Sequence, residues 1–188
     1  MEPEFWQQRW REGRIGFHND KPFPLLLKHW PSLGVELSPL AVEQFFDEHE
    51  LKPEQRKTRY GTHFEAGGIE IILGDAFGLD ADVLADCDAV YDRAAVIALP
   101  PELRAHYVGE LYARLPQGCR GLLITLEYPQ DEKQGPPFSV TEAEVMERFG
   151  RDWEIEVLER RDILAQQPGF QAEGVSALET VVYRLKRR

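Results

Sequence analysis

Two stretches place reactive side chains where an apolar run stops. Residues 89–100, AVYDRAAVIALP, run apolar, break into Tyr91-Asp92-Arg93, and return to apolar up to a Pro-Pro pair. A run of that kind reads as a buried strand reaching the rim of a parallel sheet. Ligands in open α/β sheets sit just beyond the carboxyl ends of the strands. Asp92 and Arg93 are therefore expected at a ligand crevice. A guanidinium there holds an anionic or thiolate-like group through charge-assisted hydrogen bonds. The alternative is an ion pair with Asp92 or another acid, since acids outnumber bases 33 to 22. Glu36 ends a second, shorter stub, Val35-Glu36-Leu37. An acid at that position accepts hydrogen bonds from both ribose hydroxyls of a nucleotide, or it simply favours the start of the next helix. His18 has the chemistry of a general base, but a single loop histidine is given no role. Cys87 and Cys119 occupy strand or strand-start positions and read as core.

The elements that must hold these groups follow from periodicity and caps. Residues 4–12 read as a short helix with Trp6 and Trp10 on one face, followed by a glycine-flanked loop carrying Phe17 and His18. Residues 25–30 read as a second helix stopped by Pro31. Ser38-Pro39 is a strong helix start; Leu40, Val42, Phe45, Phe46 and His49 are its expected inward positions. Residues 52–62 are polar and read as a loop. Residues 68–73 read as a strand with Gly74-Asp75-Ala76-Phe77 as the turn after it, and residues 86–91 as the next strand. Pro101 opens a helix to residue 115, with Leu103, Tyr107, Leu111 and Leu115 as the core-facing stripe. Residues 121–128, GLLITLEY, are the clearest buried strand, and Gly135-Pro136-Pro137-Phe138 is a stiff loop. Thr141 with Glu144 caps a helix to Phe149. Residues 153–158 and 178–185 alternate with period two and form an antiparallel strand pair. The order predicts an α/β sandwich of the doubly wound kind, mostly parallel, with the antiparallel pair at the C-terminal end.

Composition bounds the function. The 188 residues suit one domain with a sizeable core, and the 43% hydrophobic and 29% charged content is that of a globular protein. A net charge of −11 argues against nucleic acid or an anionic membrane as main partner. Two cysteines are too few for a disulfide scaffold or a four-cysteine zinc site, so no metal is expected and a cytoplasmic location fits. No apolar run approaches the roughly 18 residues of a spanning helix. The N-terminus is polar and acidic, unlike a signal peptide.

Six stretches, in order along nearly the whole chain, together resemble the bacterial form of the thiopurine S-methyltransferase family: FWQQRWREGRIGFH, GVELSPLAVEQFF, GIEIILGDAF, YDRAAVIALPPELR, GLLITLEY and GPPFSV. The resemblance implies a Rossmann-like class I methyltransferase fold and S-adenosylmethionine as cofactor. It implies that Trp10 packs over the cofactor, Glu36 takes its ribose, and Asp75 and Ala76 lie along its adenine. Arg93 is implied on both the cofactor and the substrate side, and Phe17 beside the acceptor. Trp10 has a plainer alternative, helix packing with Trp6, and Asp75 an ordinary turn tip. The implied reaction is in-line transfer of a methyl group to a small aromatic or heterocyclic thiol, with selenium or tellurium compounds as further acceptors. Positioning and a dry pocket carry such a step, so no catalytic acid or base is assigned. One domain is expected, residues 1–33 forming a helical cover and residues 34–188 the strand–helix core, acting as a monomer.

The chain also departs from that family. A dinucleotide-type fold wants a glycine turn about 20 residues before the ribose acid, and residues 16–30 hold no strand or glycine cluster. Judged against the family's pattern, an internal stretch of about 30 residues, carrying the first strand and its glycine turn, is expected to be missing before Gly34. The region Ala165–Phe170 lacks the basic residue that vertebrate members carry there. The competing expectations are a ligand-binding remnant without turnover, or methyl transfer to oxygen or nitrogen.

Overall fold

The computed structural model describes Glu4, Gln8, Arg11, Glu12 and residues 32–188. Trp10, Phe17, His18 and the helix expected over residues 25–30 lie outside the described residues. The chain divides into two compact units, Met1–Leu79 and Asp80–Arg188.

The first unit carries β1 (Ser32–Glu36), α1 (Pro39–Glu48), β2 (Glu54–Thr58), β3 (Gly61–Ala66) and β4 (Ile69–Leu73), in a four-stranded sheet of order β1-β4-β3-β2. The pair β1–β4 is parallel, with Glu36 opposite Leu73, and the rest of the sheet is antiparallel. Ser38 caps α1 as its sequence predicts: its hydroxyl accepts the Ala41 N–H at 3.4 Å, and Pro39 occupies the first turn. Ala41, Val42 and Phe46 form the buried face of α1, with Ile69 and Ile72 buried in β4. β1 runs through Leu33, Gly34 and Val35 as one strand, so the expected deletion point lies inside a paired element.

The loop expected over residues 52–62 is instead the β2–β3 hairpin. β2 reads Glu-Gln-Arg-Lys-Thr, with four exposed residues and one half-buried. It is an edge strand with no apolar residue, so it carries no periodicity to detect. Backbone pairing holds it, aided by Arg56 on Glu70 and by the Thr58 hydroxyl against the His63 ring at 2.7 Å.

The second unit carries α2 (Ala81–Leu84), β5 (Ala89–Asp92), α3 (Ala95–Ala98), α4 (Pro101–His106), a π segment (Tyr107–Tyr112), β6 (Arg120–Glu127), α5 (Glu142–Phe149), β7 (Trp153–Asp162), α6 (Pro168–Ala172) and β8 (Glu179–Arg187). The sheet order is β5-β6-β8-β7. β5–β6 is parallel and β6–β8–β7 antiparallel, so the expected C-terminal antiparallel pair is present. Each sheet is thus mixed rather than mostly parallel: the β2–β3 hairpin adds antiparallel pairs to the first, and β6–β8–β7 supplies them in the second. The core gathers Tyr112, Leu123, Phe149, Trp153, Val181, Tyr183 and Leu185, none more than 1% exposed. Thr141 caps α5 by accepting the Glu144 N–H at 3.2 Å.

Two expectations about this unit shift by a few residues. The strand placed at 86–91 is Ala89–Asp92, since Asp86 and Asp88 are exposed and Cys87 half-buried. The helical stripe Leu103-Tyr107-Leu111-Leu115 is replaced by Arg104, Val108, Tyr112 and Leu115. The shift is already in place at Arg104, before the π segment begins at Tyr107, and the four-residue spacing is kept through Val108 to Tyr112, while Leu103, Tyr107 and Leu111 are half-buried beside it. Among the described residues, no helix is long and apolar enough to cross a membrane, and no group of three or more His, Cys, Asp or Glu could hold a metal ion.

Candidate active site

In the first unit, two predicted site elements meet at one rim. β1 and β4 run side by side in the same direction, so their carboxyl ends adjoin. The chain leaves β4 through Gly74, whose N–H donates to the Glu36 carbonyl at 3.0 Å. A Cβ on Gly74 would overlap the Tyr60 carbonyl oxygen, so only glycine lets the chain turn there. Asp75 follows at once and caps a 3₁₀ turn, Ala76–Gly78, by accepting the Phe77 N–H at 2.9 Å. Glu36, Asp75 and Ala76 therefore stand together, tied by one backbone hydrogen bond.

The Glu36 side chain is aimed rather than loose. Its Oε1 accepts the Ser38 N–H at 2.8 Å, which fixes the carboxylate over the β1–α1 turn. Burial pushes its pKa up, while the Ser38 and Leu37 N–H groups pull it down. A half-buried acid with one oxygen so engaged is chemically suited to accept a pair of vicinal hydroxyls. A cavity of about 300 Å³, lined by Arg11, Ser38, Pro39, Leu40 and Glu43, lies at the start of α1 and carries none of Glu36, Asp75 and Ala76. A larger hollow of about 590 Å³, bordered by Glu50, Lys52, Glu54 and Glu65, lies at the opposite end of β4 and carries none of the predicted site residues. Glu36, Asp75 and Ala76 together present a carboxylate and a turn backbone of the kind a nucleoside's hydroxyls and base can engage. Among the described residues, no glycine turn precedes the acid.

In the second unit, β5 runs parallel to β6 and stops at Asp92, opposite Leu123, while β6 continues to Glu127. Arg93 follows β5 and is exposed. Asp92 is not: it is 4% exposed and faces inward, which corrects its expected place in the crevice. Its Oδ1 accepts the Ala95 and Val96 N–H groups at 3.1 and 3.2 Å, and its Oδ2 accepts the Tyr112 hydroxyl at 3.3 Å. Burial pushes the Asp92 carboxyl above its usual range, opposed by those donors and by Tyr107. Both tyrosines are pushed well up, by burial and by the carboxylate. The signal was present in the sequence: an aspartate just before the Ala95 helix is a capping pattern, read as ligand chemistry because it followed an apolar run.

A second buried charge escaped the sequence reading altogether. Arg104 is 2% exposed; its guanidinium donates to the Ser139 carbonyl at 3.0 Å and lies 3.2 Å from Glu144. It thus fastens α4 to the end of the β6–α5 loop and to α5. The same loop is braced by the Tyr128 hydroxyl on the Pro137 carbonyl at 2.6 Å and by the Phe138 N–H on the Ile97 carbonyl at 2.6 Å. The predicted site residues Trp10 and Phe17 lie outside the described residues.

Comparison with known proteins supplies the chemistry. The sequence model of the thiopurine S-methyltransferase family matches residues 31–188. A thiopurine S-methyltransferase from Xanthomonas campestris is 54% identical over 217 aligned positions, covering all of both chains. One from Nitrosomonas eutropha is 52% identical, covering all of this chain and 99% of the relative. The 217 positions against 188 residues leave 29 with no counterpart here. Among solved structures, an S-adenosylmethionine-dependent methyltransferase from Anabaena variabilis aligns with a TM-score of 0.61 at 14% identity, over 99% of this chain and 95% of that one. The 1,6-didemethyltoxoflavin-N1-methyltransferase of Burkholderia thailandensis, solved with S-adenosylhomocysteine, aligns with a TM-score of 0.62 at 12% identity, over 99% of this chain and 87% of that one. These likenesses establish the fold.

Proposed function

The chain belongs to the thiopurine S-methyltransferase family, an S-adenosylmethionine-dependent group, and from that premise we propose that it methylates the sulfur of small aromatic or heterocyclic thiols. The observation that carries the site is the meeting of Glu36 with Asp75 and Ala76 at the adjoining ends of β1 and β4. Glu36 takes both ribose hydroxyls with a carboxylate already oriented by Ser38. Asp75 and Ala76 border the adenine on a turn that Gly74 makes possible. The family resemblance assigns Trp10 to the cofactor, Phe17 to the acceptor and Arg93 to both, and a guanidinium suits negative charge on an acceptor sulfur.

When bound, S-adenosylmethionine supplies a methyl group on a cationic sulfur, open to attack by a soft nucleophile. The chain's residues bind, orient and exclude water around that contact. Positioning of this kind is worth roughly 7–11 kcal/mol. An aromatic thiol ionises near neutral pH, so no side chain is assigned to take its proton. Selenium and tellurium nucleophiles are softer still and belong to the same acceptor class.

Labelled S-adenosylmethionine with an aromatic thiol tests the activity: a labelled thioether is expected, and its absence refutes sulfur transfer. A panel adding phenol and amine acceptors separates sulfur from oxygen and nitrogen. The 29 unmatched positions favour a second reading, a catalytically impaired ligand-binding remnant that lacks the glycine-bearing cofactor loop. Calorimetric titration with S-adenosylhomocysteine distinguishes the two: binding supports the enzyme, and no binding supports the remnant.

A further inference from the structure

We infer that Asp92 is a positioning residue for Arg93, coupling the exposed guanidinium to the buried tyrosines of the π segment; the inference rests on the reading of Arg93 as a ligand-side cation. The two residues are neighbours at the end of β5 with opposite surroundings. Asp92 pairs in register with Leu123, which is fully buried, and Arg93 is exposed. Every donor on the Asp92 carboxylate comes from a fixed part of the unit. The Ala95 and Val96 N–H groups belong to the first turn of α3, which has no other side-chain cap. The Tyr112 hydroxyl belongs to a ring that is 1% exposed and wedged edge-on against Phe149 at 5.0 Å and Trp153 at 5.6 Å.

The π segment explains how two tyrosines reach one carboxylate. Tyr107 and Tyr112 are five residues apart, a spacing that an α-helix splays and an i→i+5 turn aligns. Their rings meet at 5.5 Å, edge to face, and Tyr107 also hydrogen-bonds Asp92. A π turn is a costly element that recurs at functional sites. Here its local product is a carboxylate held from two sides, with the next residue in the chain, Arg93, projecting at the rim. A shift of the Asp92 backbone would pass directly into Arg93, because one peptide bond joins them.

The test is a double-mutant cycle with a direct probe of Arg93. Asp92→Asn keeps an acceptor for the α3 N–H groups, whereas Asp92→Leu keeps the volume and removes all acceptors. Acceptor kcat/KM and S-adenosylhomocysteine affinity are expected to stay within about twofold in Asp92→Asn and to fall on the order of tenfold or more in Asp92→Leu. In an Arg93→Ala background the Asp92→Leu loss is expected to vanish, since Asp92 acts through Arg93. An equal loss in both backgrounds overturns the inference and makes Asp92 purely structural. If Arg93→Ala alone changes nothing, the ligand-side reading of Arg93 fails instead. Relaxation of the Arg93 side-chain N–H in arginine-labelled protein is independent of activity. Added motion in Asp92→Leu but not in Asp92→Asn is expected, and no change overturns the coupling. Should Asp92→Leu not fold, Tyr107→Phe with Tyr112→Phe removes only the two hydroxyls and is expected to mobilise Arg93 in the same way.

Discussion

The two units hold their rim residues by different means. In the first, Glu36, Asp75 and Ala76 are set by the backbone: a Ser38 N–H on the carboxylate, a Gly74 N–H on a carbonyl, an Asp75 cap on its own turn. In the second, Arg93 follows a carboxylate clamped by aromatic side chains from the core. The sheets differ likewise. β8 is paired on both sides, and its Val181, Tyr183 and Leu185 are fully buried. β2 ends the first sheet as an exposed polar edge. Backbone-set residues depend on turns and on the register of β1 against β4 rather than on side-chain packing. Side-chain-set residues inherit their precision from packing, and lose it when packing is cut.

That contrast can be broken or sharpened in order of size. Trp153→Ala empties the centre of the second unit and should cost about 3–5 kcal/mol, with hydrogen exchange speeding across β6 and β8. Equal loss of protection in β1–β4 would mean that the two units unfold as one. Glu36→Gln leaves the Ser38 N–H an acceptor but offers one carbonyl oxygen to two hydroxyls. S-adenosylhomocysteine affinity should fall about tenfold to a hundredfold, as expected for lost hydrogen bonds to a charge of roughly 1.5–3 kcal/mol, measured by calorimetry. The melting midpoint should hold or rise, because burial opposes the Glu36 charge.

Ser38→Ala removes the α1 cap and should cost about 1 kcal/mol in denaturant titration, without touching Arg93. Asp92 gives a pH signature. Its folded-state pKa lies above the ordinary 3.8 because of burial. Its contribution is therefore full below that value and is lost as pH rises through the raised one. Asp92→Asn does not titrate, so its melting midpoint should gain on the wild type's over that rise. A constant difference would show that the buried carboxyl does not titrate in the range scanned. The smallest effect belongs to the exposed pair of Arg184 with Glu156 on β8 and β7: Arg184→Ala should change stability by less than about 0.5 kcal/mol.

Much of this was legible in the chain. Ser38-Pro39 and Thr141 act within a turn of themselves, and the expected caps are the observed ones. Residues 68–73, 121–128, 153–158 and 178–185 carry period-two or continuous apolar patterns that leave few alternatives to a strand. Residues 54–58 carry no such pattern, because an edge strand has no face to bury. Arg104 was passed over because a charged residue interrupts an apolar stripe, and its partners Ser139 and Glu144 come from far along the chain.

Taken alone, the sequence determined the α/β class, the capped helices, the rim position of Glu36 and the family to which these residues belong, since each depends on near neighbours or on the ordered set of motifs. Only the tertiary structure decided which way Asp92 faces, how the π segment turns Tyr107 and Tyr112 onto it, and that the turn carrying Asp75 is tied through Gly74 to Glu36. Those depend on strand register and on the packing of residues distant in the chain, and a carboxylate carries no mark of its future neighbours until the backbone has brought them within hydrogen-bond reach.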